Sequence, residues 1–562
     1  MARLTRVKPS VTNMVRPTLL ELKKSSVAPG EVYETFGFRE VGDGGGAIYH
    51  VTTPKTGVVP NGYGDHVADN GLHLMLLSTP TDLNHGVIIN QEYVPQEARY
   101  NRNALQAMLR NTSIHYCEST AIGRVWVLGS INVSRNDLHW WIKKGCQIRG
   151  RYSDPSIPTP DQAGGMINFA DFFDPDSGDF IPWRPEDTRI NGHVRNIHVR
   201  LDGDVSTEYN AAHINPYNNN CIGFAKAVDC SVRGTGGVSE SDHRGINFDG
   251  FDDDRKPLNK GGNVNCHVDV AYINNTVDNP VMIVGDKVNP STCTIKVGSI
   301  RNMPEGGYKN PIVVNVSNGA DFEVWVGRFN KDSGTSPSLV TARNCSSVKV
   351  RGGYIRGCAN LLYTVDTLDN DVSVEEIYDT PIGIYRGGTS GAARSFKFHG
   401  LKYSDSSFRH VFSNAVSGSF ARLEISDNNF SYTPADFRFA TGGKAVLEII
   451  RDNLTPSQSD NTKLNILTGQ SKTITFSDSS VMSHTINFKD GNWNYTKMTL
   501  VVAYGGGRGI ATLDLTAKEV TSNSIIIKAG DYPVTVTGGA NSGSVTLATT
   551  RPQYLNYVVL HN

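Results

Sequence analysis

The sequence predicts an all-β protein whose middle winds as a right-handed parallel β-helix, with a small N-terminal domain before it and a C-terminal β-sandwich of jelly-roll type after it. Three observations carry that prediction. An apolar-any-apolar unit recurs as Val268-Asp-Val270, Ile295-Lys-Val297, Val324-Trp-Val326, Val348-Lys-Val350, Val372-Ser-Val374, Phe396-Lys-Phe398, Leu423-Glu-Ile425 and Leu447-Glu-Ile449. Its starts differ by 27, 29, 24, 24, 24, 27 and 24 residues, and so steady a period means one unit stacked on copies of itself. The 562 residues include 56 glycines and 25 prolines but only 19% charged residues, a mixture rich in turns and poor in helix formers.

Charge and apolar patterning exclude several classes of function. Lys and Arg number 54 against 55 Asp and Glu, so no global field gathers nucleic acid or an anionic membrane. Apolar runs such as Leu74 to Leu77 fall far short of the ~20 residues of a membrane helix, so membrane insertion is not expected. No apolar stretch follows the first basic residues, so no secretory signal is expected. Eight cysteines without a CxxC pair read as reduced core residues made in a reducing cytosol, with no metal or other cofactor expected.

Residues 1–30 carry Arg3, Arg6, Lys8, Arg16, Lys23 and Lys24 against Glu21, with three prolines, and are expected to form a basic arm that is either flexible or orders on a partner. In the small domain over 31–90, Gly42-Asp-Gly-Gly-Gly46 lacks the Gly-Lys-Ser/Thr ending and following helix of a phosphate cradle, so a tight turn is expected. Ala104, Leu105, Met108 and Leu109 share a helical face between Tyr100 and Asn111, with Asn101 or Asn103 available as cap. This helix opens the coil, assigned to 91–455. Each rung then holds two or three short strands joined by Gly, Asn and Asp turns, and pairs with the rungs above and below at ~4.8 Å. Asparagines and cysteines at turns, as in Asn344-Cys345 and Asn428-Asn429, fit internal stacks. Residues 456–562 alternate as short strands and form the sandwich, either a clamp between subunits or a carbohydrate binder through Trp493, Tyr495 or Tyr504.

These features together resemble a family: the basic arm, the capping helix Asn103-Ala-Leu-Gln-Ala-Met-Leu109, strands closing on Gly150, the rungs and the terminal sandwich look like a bacteriophage tailspike. Tailspikes resemble pectate lyases in their coil but act on capsule or lipopolysaccharide. The segment Gly37-Phe-Arg-Glu-Val-Gly-Asp-Gly-Gly-Gly46 is similar to one that often precedes the β-helix in that family, whereas Gln96-Glu-Ala-Arg-Tyr-Asn101 stands where many relatives carry Gly-Asp-Gly-x-x-Asp-Asp. The resemblance implies a homotrimer, an endo-acting polysaccharide depolymerase, a place in the virion tail with the arm docked on a tail or adaptor protein, and synthesis in the host bacterial cytoplasm. It supplies no catalytic signature.

The chemistry is therefore placed by loop length. From Cys230 to Val268 the chain spends more residues than in any later rung, and long excursions on a rigid scaffold wall grooves. That excursion reads Glu240-Ser-Asp242-His243-Arg244, then Asn247-Phe-Asp249 and Asp252 to Lys256. Glycoside hydrolysis needs a protonated carboxyl and an ionised one, which assigns Glu240 as general acid with Asp242 or Asp249 as partner. His243, Arg244, Asp252, Lys256, Tyr272 and Trp325 are expected to hold sugar. Eliminative cleavage of a uronic-acid polymer is the alternative chemistry, served by His243, Arg244, Lys256 and Tyr272; a non-catalytic receptor-binding fibre is another. Asp252 to Asp254 also suit a structural calcium clip, although no metal is assigned. The outward column Lys296, Trp325, Lys349, Ser373, Lys397, Glu424 and Glu448 is expected to face sister subunits more than sugar, and Asp366, Asp369, Asp371, Glu375 and Glu376 form a further acidic group.

Overall fold

The computed structural model describes residues 14–55, 59–151, 165–170, 194–208, 220–241, 243–249, 262–287, 289–301, 312–331, 337–388, 393–416, 420–431 and 445–453, and backbone strands at 436–440 and between 464 and 561. The chain forms two units, 1–341 and 342–562.

The first unit begins with a five-stranded sheet in the order Met14–Arg16, Val32–Thr35, Ile48–Thr52, His73–Leu76, His66–Val67. From Met14 on, the expected arm is part of this domain. Thr18 accepts from Glu21 N–H to cap the helix Leu19–Lys24, whose Leu19 and Leu22 are buried with Val27, Tyr33 and Tyr49. The basic composition disguises this because Arg16, Lys23 and Lys24 stay partly or fully exposed while Leu19 and Leu22 turn inward. The Gly42–Gly46 segment is a turn that carries its own anion: Asp43 accepts from the Gly45 N–H within it and from the Phe38, Arg39 and Glu40 N–H groups before it. Those bonds hold its carboxyl below the usual range against the opposing effect of burial.

The helix expected at 100–111 begins earlier, at Pro95, and runs to Arg110. Proline suits its first position because the missing N–H would have no intrahelical acceptor. Asn101 therefore lies inside the helix and does not cap it; its buried amide accepts from Ile88 N–H and donates to the Ile88 and Trp126 carbonyls. Two parallel sheets follow, their strands alternating along the chain as a parallel β-helix. One sheet includes Gly123–Leu128, Cys146–Arg151, Asp204–Thr207, Gly237–Glu240, His267–Asn274, Thr292–Arg301 and Asp321–Asn330; the other includes Gly165–Phe169, Asn220–Ala225, Ile246–Asp249 and Val281–Val284. Val268, Ile295 and Val324 occupy one inward column, as their spacing predicts. Phe169, Phe224 and Phe248 stack at 4.8 and 4.5 Å between centroids, each contact adding ~0.5–1.5 kcal/mol beyond its burial. Corners turn through left-handed residues at Asp137, Asn196, Asp229 and Asn265, and Asn265 donates to Asp229 at 2.6 Å. Short polar side chains tolerate that conformation because they bond locally.

The second unit continues the same pattern with Ser347–Arg356, Asp369–Tyr378, Ser395–His399, Phe420–Ser426 and Ala445–Asn453 in one parallel sheet. Its register departs from the expected regular 24-residue step. Val348 faces Asn370, Val350 faces Val372, and Asn370 faces Phe396. An asparagine thus occupies an aliphatic column, where Asn370 accepts from Thr364 Oγ1 and donates to the Thr367 and Ser395 carbonyls. The slip is two residues, which preserves which side chains face inward. Residues 472–561 form two four-stranded antiparallel sheets. Their orders are Lys472–Thr475, Tyr554–His561, Tyr495–Tyr504, Gly507–Asp514, and Met482–Asn487, Ser544–Thr549, Tyr532–Gly539, Val520–Ala529.

Candidate active site

Vertical stacking, rather than closeness in sequence, assembles the candidate site in the first unit. Gln147 faces Asp204, which faces Gly237; Arg149 faces Ser206, which faces Glu240. A bulge between Val205 and Ser206 lets the partner strand run on by one residue, so Glu240 takes the place that Ser239 would otherwise fill. Gly237 in turn faces Tyr272. Arg149, Asp204, Glu240 and Tyr272 therefore belong to four successive rungs of one sheet.

The two carboxyls have different surroundings. Asp204 accepts from Ser239 Oγ at 2.6 Å and Tyr272 Oη at 2.8 Å. Burial and the Glu240 charge raise its pKa, although both hydroxyls and Arg149 act in the opposite direction. Glu240 instead pairs with Arg149 at 2.9 Å, both side chains about a quarter exposed. Burial and the adjacent Asp204 carboxylate raise the Tyr272 hydroxyl far above the tyrosine range, so it stays protonated and donates. The Arg149 guanidinium also lies 5.3 Å from the centre of the Trp126 ring, whose other neighbours are Arg124 at 5.6 Å and Tyr93 at 5.3 Å. Stacking on an aromatic face fixes the guanidinium plane, and the ion pair then fixes Glu240.

The remaining sequence-predicted residues separate from this group. Asp249 lies at the end of the strand Ile246–Asp249 in the other sheet, whereas Asp204 lies on the rung next to Glu240 in the same sheet. Arg244 is turned toward carboxylates, 3.9 Å from Asp249 and 3.6 Å from Asp278. His243, expected to grip sugar, is only 2% exposed and lies 3.2 Å from Asp278. It is buried beside Asp278, between the strands Gly237–Glu240 and Ile246–Asp249 in the chain. Tyr272 reaches the site, bound to Asp204. Trp325 is 43% exposed in another rung. Asp242, Asp252, Lys256, Trp493 and the expected calcium clip lie outside the described residues, as do the Glu448, Tyr495 and Tyr504 side chains. Among the described residues, no cluster of His, Cys, Asp or Glu has the makings of a metal site.

Arg149 and Asp204 were not identified from the sequence because they lie upstream of the long excursion, in strands without excess length. A signal did exist. Asp204-Val-Ser-Thr207 and Gly237-Val-Ser-Glu240 share a Val-Ser pair, and aligning the two would have placed Asp204 on the rung next to Glu240.

No family model matches the sequence, and no curated protein matches it. Solved structures that the chain is similar to are phage tailspike and related glycan-modifying proteins. They include the enzymatically active domain of tailspike protein 2 from bacteriophage CBA120, at 10% identity over 97% of this chain and 89% of that one, with a TM-score of 0.42. Tailspike gp49 from Acinetobacter baumannii bacteriophage Fri1, a capsular polysaccharide depolymerase, is 12% identical over 97% of each chain at a TM-score of 0.35. WceF of Pantoea stewartii, a glycan biofilm modifying enzyme with a tailspike-like parallel β-helix, is 8% identical over 98% of this chain and 72% of that one at 0.30.

Proposed function

We propose that this protein is a phage tailspike depolymerase that binds a bacterial capsule or lipopolysaccharide glycan and cleaves it by endo-acting glycoside hydrolysis, as part of the virion tail. The observation that carries the reading is the pair of carboxyls Asp204 and Glu240, stacked on neighbouring rungs but placed in unlike surroundings. A glycosidase needs that asymmetry: a carboxyl that keeps its proton to donate to the leaving oxygen, and a charged one to activate water or attack the anomeric carbon. Asp204 suits the acid because it is buried, and Glu240 suits the charged partner because Arg149 is paired with it. This exchanges the role the sequence suggested for Glu240. Ser239 and Tyr272 hold the Asp204 carboxyl in place, and Arg149, held over the Trp126 ring, does the same for Glu240.

Elimination is less well served by the residues named for it. His243 is buried, Arg244 faces Asp249 and Asp278, and the Tyr272 hydroxyl is committed to Asp204 as a donor. The test is to incubate a panel of purified capsular polysaccharides with the wild type, Asp204→Asn and Glu240→Gln, and to follow chain length by size exclusion. The expected outcome is shortening by the wild type alone, with no ultraviolet absorbance from a new double bond. Undiminished cleavage by either variant overturns the carboxyl pair, and absorbance growth replaces hydrolysis by elimination.

A further inference from the structure

A second constellation lies in the other unit and does not depend on the Asp204 and Glu240 reading. Arg351 faces Ser373, and Ser373 faces His399, on the successive strands Ser347–Arg356, Asp369–Tyr378 and Ser395–His399. Neighbouring strands lie ~4.8 Å apart, so the serine stands between a cation and an imidazole. Asp371 lies beside this column. His399 Nε2 is 2.9 Å from its Oδ1, and Arg351 donates to its Oδ2 at 2.7 Å.

These contacts fix the chemistry of the ring. A carboxylate accepts a proton-bearing nitrogen, so Nε2 carries a hydrogen, and in the neutral ring Nδ1 is the one with a lone pair. Burial works against the charged form of Asp371, but the bonds and charges of His399 and Arg351 prevail and bring it down to about 2. The serine hydroxyl is turned toward the His399 strand: a Cβ on Gly400 would stand 2.6 Å from Ser373 Oγ. Elsewhere in this coil an Nδ1 bonds a hydroxyl across the same spacing, His198 to Ser231 at 2.9 Å and His267 to Thr294 at 2.8 Å; Ser373 and His399 occupy the same facing positions without that bond in place. In those two cases the distal nitrogen meets the amides of Asn196 and Asn265; at His399 it meets a carboxylate, which stabilises an imidazolium as an amide does not.

We propose that Ser373, His399 and Asp371 form a second catalytic centre that hydrolyses carboxylic esters of the kind in which an acyl group is carried on a sugar hydroxyl. Ser373 Oγ attacks the ester carbonyl carbon and passes its proton to His399 Nδ1. The carbonyl oxygen becomes an oxyanion faced by Arg351, whose Nε–H is not used by Asp371 or by the Val350 carbonyl. The carbon–oxygen bond to the sugar breaks and the leaving alkoxide takes the proton from His399. Water then attacks the acyl-serine, again through His399, and releases the carboxylic acid and free Ser373.

The test treats the full chain with a serine-directed fluorophosphonate and with p-nitrophenyl acetate. Peptide mass mapping is expected to find the label on Ser373, and Ser373→Ala or His399→Gln is expected to lower ester turnover at least 100-fold. Asp204→Asn and Glu240→Gln are expected to leave ester turnover unchanged. Ser373→Cys, alkylated by iodoacetamide faster with His399 than with His399→Gln, checks the pairing in a variant of nearly the same shape. Ester turnover in Ser373→Ala equal to the wild type, or label only on other residues, overturns the proposal and leaves the glycan-cleaving reading standing.

Discussion

Asp204 and Glu240 are acids on neighbouring rungs, and burial at Asp204 together with the Arg149 ion pair at Glu240 separates their proposed roles. In the proposed role of acid catalyst Asp204 would supply ~10²–10⁴-fold, so Asp204→Asn is expected to lower polysaccharide turnover by that range with chain folding intact, measured as reducing ends released per minute. Its ionisation also sets the basic limb of the pH profile, because donation fails once the proton is lost. Tyr272 donates to the carboxylate and thereby lowers this pKa. Tyr272→Phe removes that donor, so the limb is expected to move to higher pH. A limb that stays put, or moves down, would assign the titration to another group. At this scale the sequence was only partly informative. Glu240 and Tyr272 were named from the long excursion and residue chemistry, but the ion pair that distinguishes Glu240 from Asp204 is with Arg149, ninety-one positions away in the chain, and no local pattern encodes that contact.

Elements were more legible than contacts because a strand's period survives in any register. The repeat of inward aliphatic residues exposed the coil, and Cys230, Cys266 and Cys293 stack beside it, since Ser231 faces His267 and His267 faces Thr294. The two-residue slip at Asn370 was invisible, since an asparagine held by three hydrogen bonds fills a core position as well as valine does. All eight cysteines are free and buried, and burial raises the thiols of Cys117, Cys146, Cys221, Cys230, Cys266 and Cys293. None is therefore expected to react with a disulfide reagent at pH 8 until denaturant is added, when all eight should. The N-terminal sheet makes a different prediction. Burial lowers His66 and His85 to about 4, with the Lys23 charge adding to the effect at His66. The unfolded chain takes up these protons near pH 6.5 and the folded domain does not, so stability is complete above that pH and falls as pH drops toward 4. Each site contributes roughly 3 kcal/mol over that window. Proteolysis of the full chain from pH 7 to 4.5, with cleavage sites mapped, is expected to open residues 14–90 progressively, and a flat profile would remove the histidines from that role.

For the whole molecule, the outward columns raise the question of what covers them. Asp269, Lys296 and Trp325 stack on consecutive rungs, and the indole is 43% exposed among polar neighbours. Part of the ring is occupied, because it lies over Gly327, where a Cβ would stand 2.8 Å from Cη2. The rest is open. A large aromatic fixed by a glycine floor has little side-chain entropy left to lose, which is the property of an anchor at an interface. A second copy of the chain is the expected occupant, since a parallel coil repeats its outward columns over many rungs and a self-association buries them all at once. The wild type is expected to run as three chain masses by light scattering, and Trp325→Glu, which replaces the anchoring ring by a charge, is expected to shift it toward one. If the two proposed centres each lie within a single chain, that variant is expected to keep its chemistry on short substrates. A Trp325→Glu protein that stays trimeric but no longer retains polysaccharide would make the indole a sugar platform and move the subunit contact to another column.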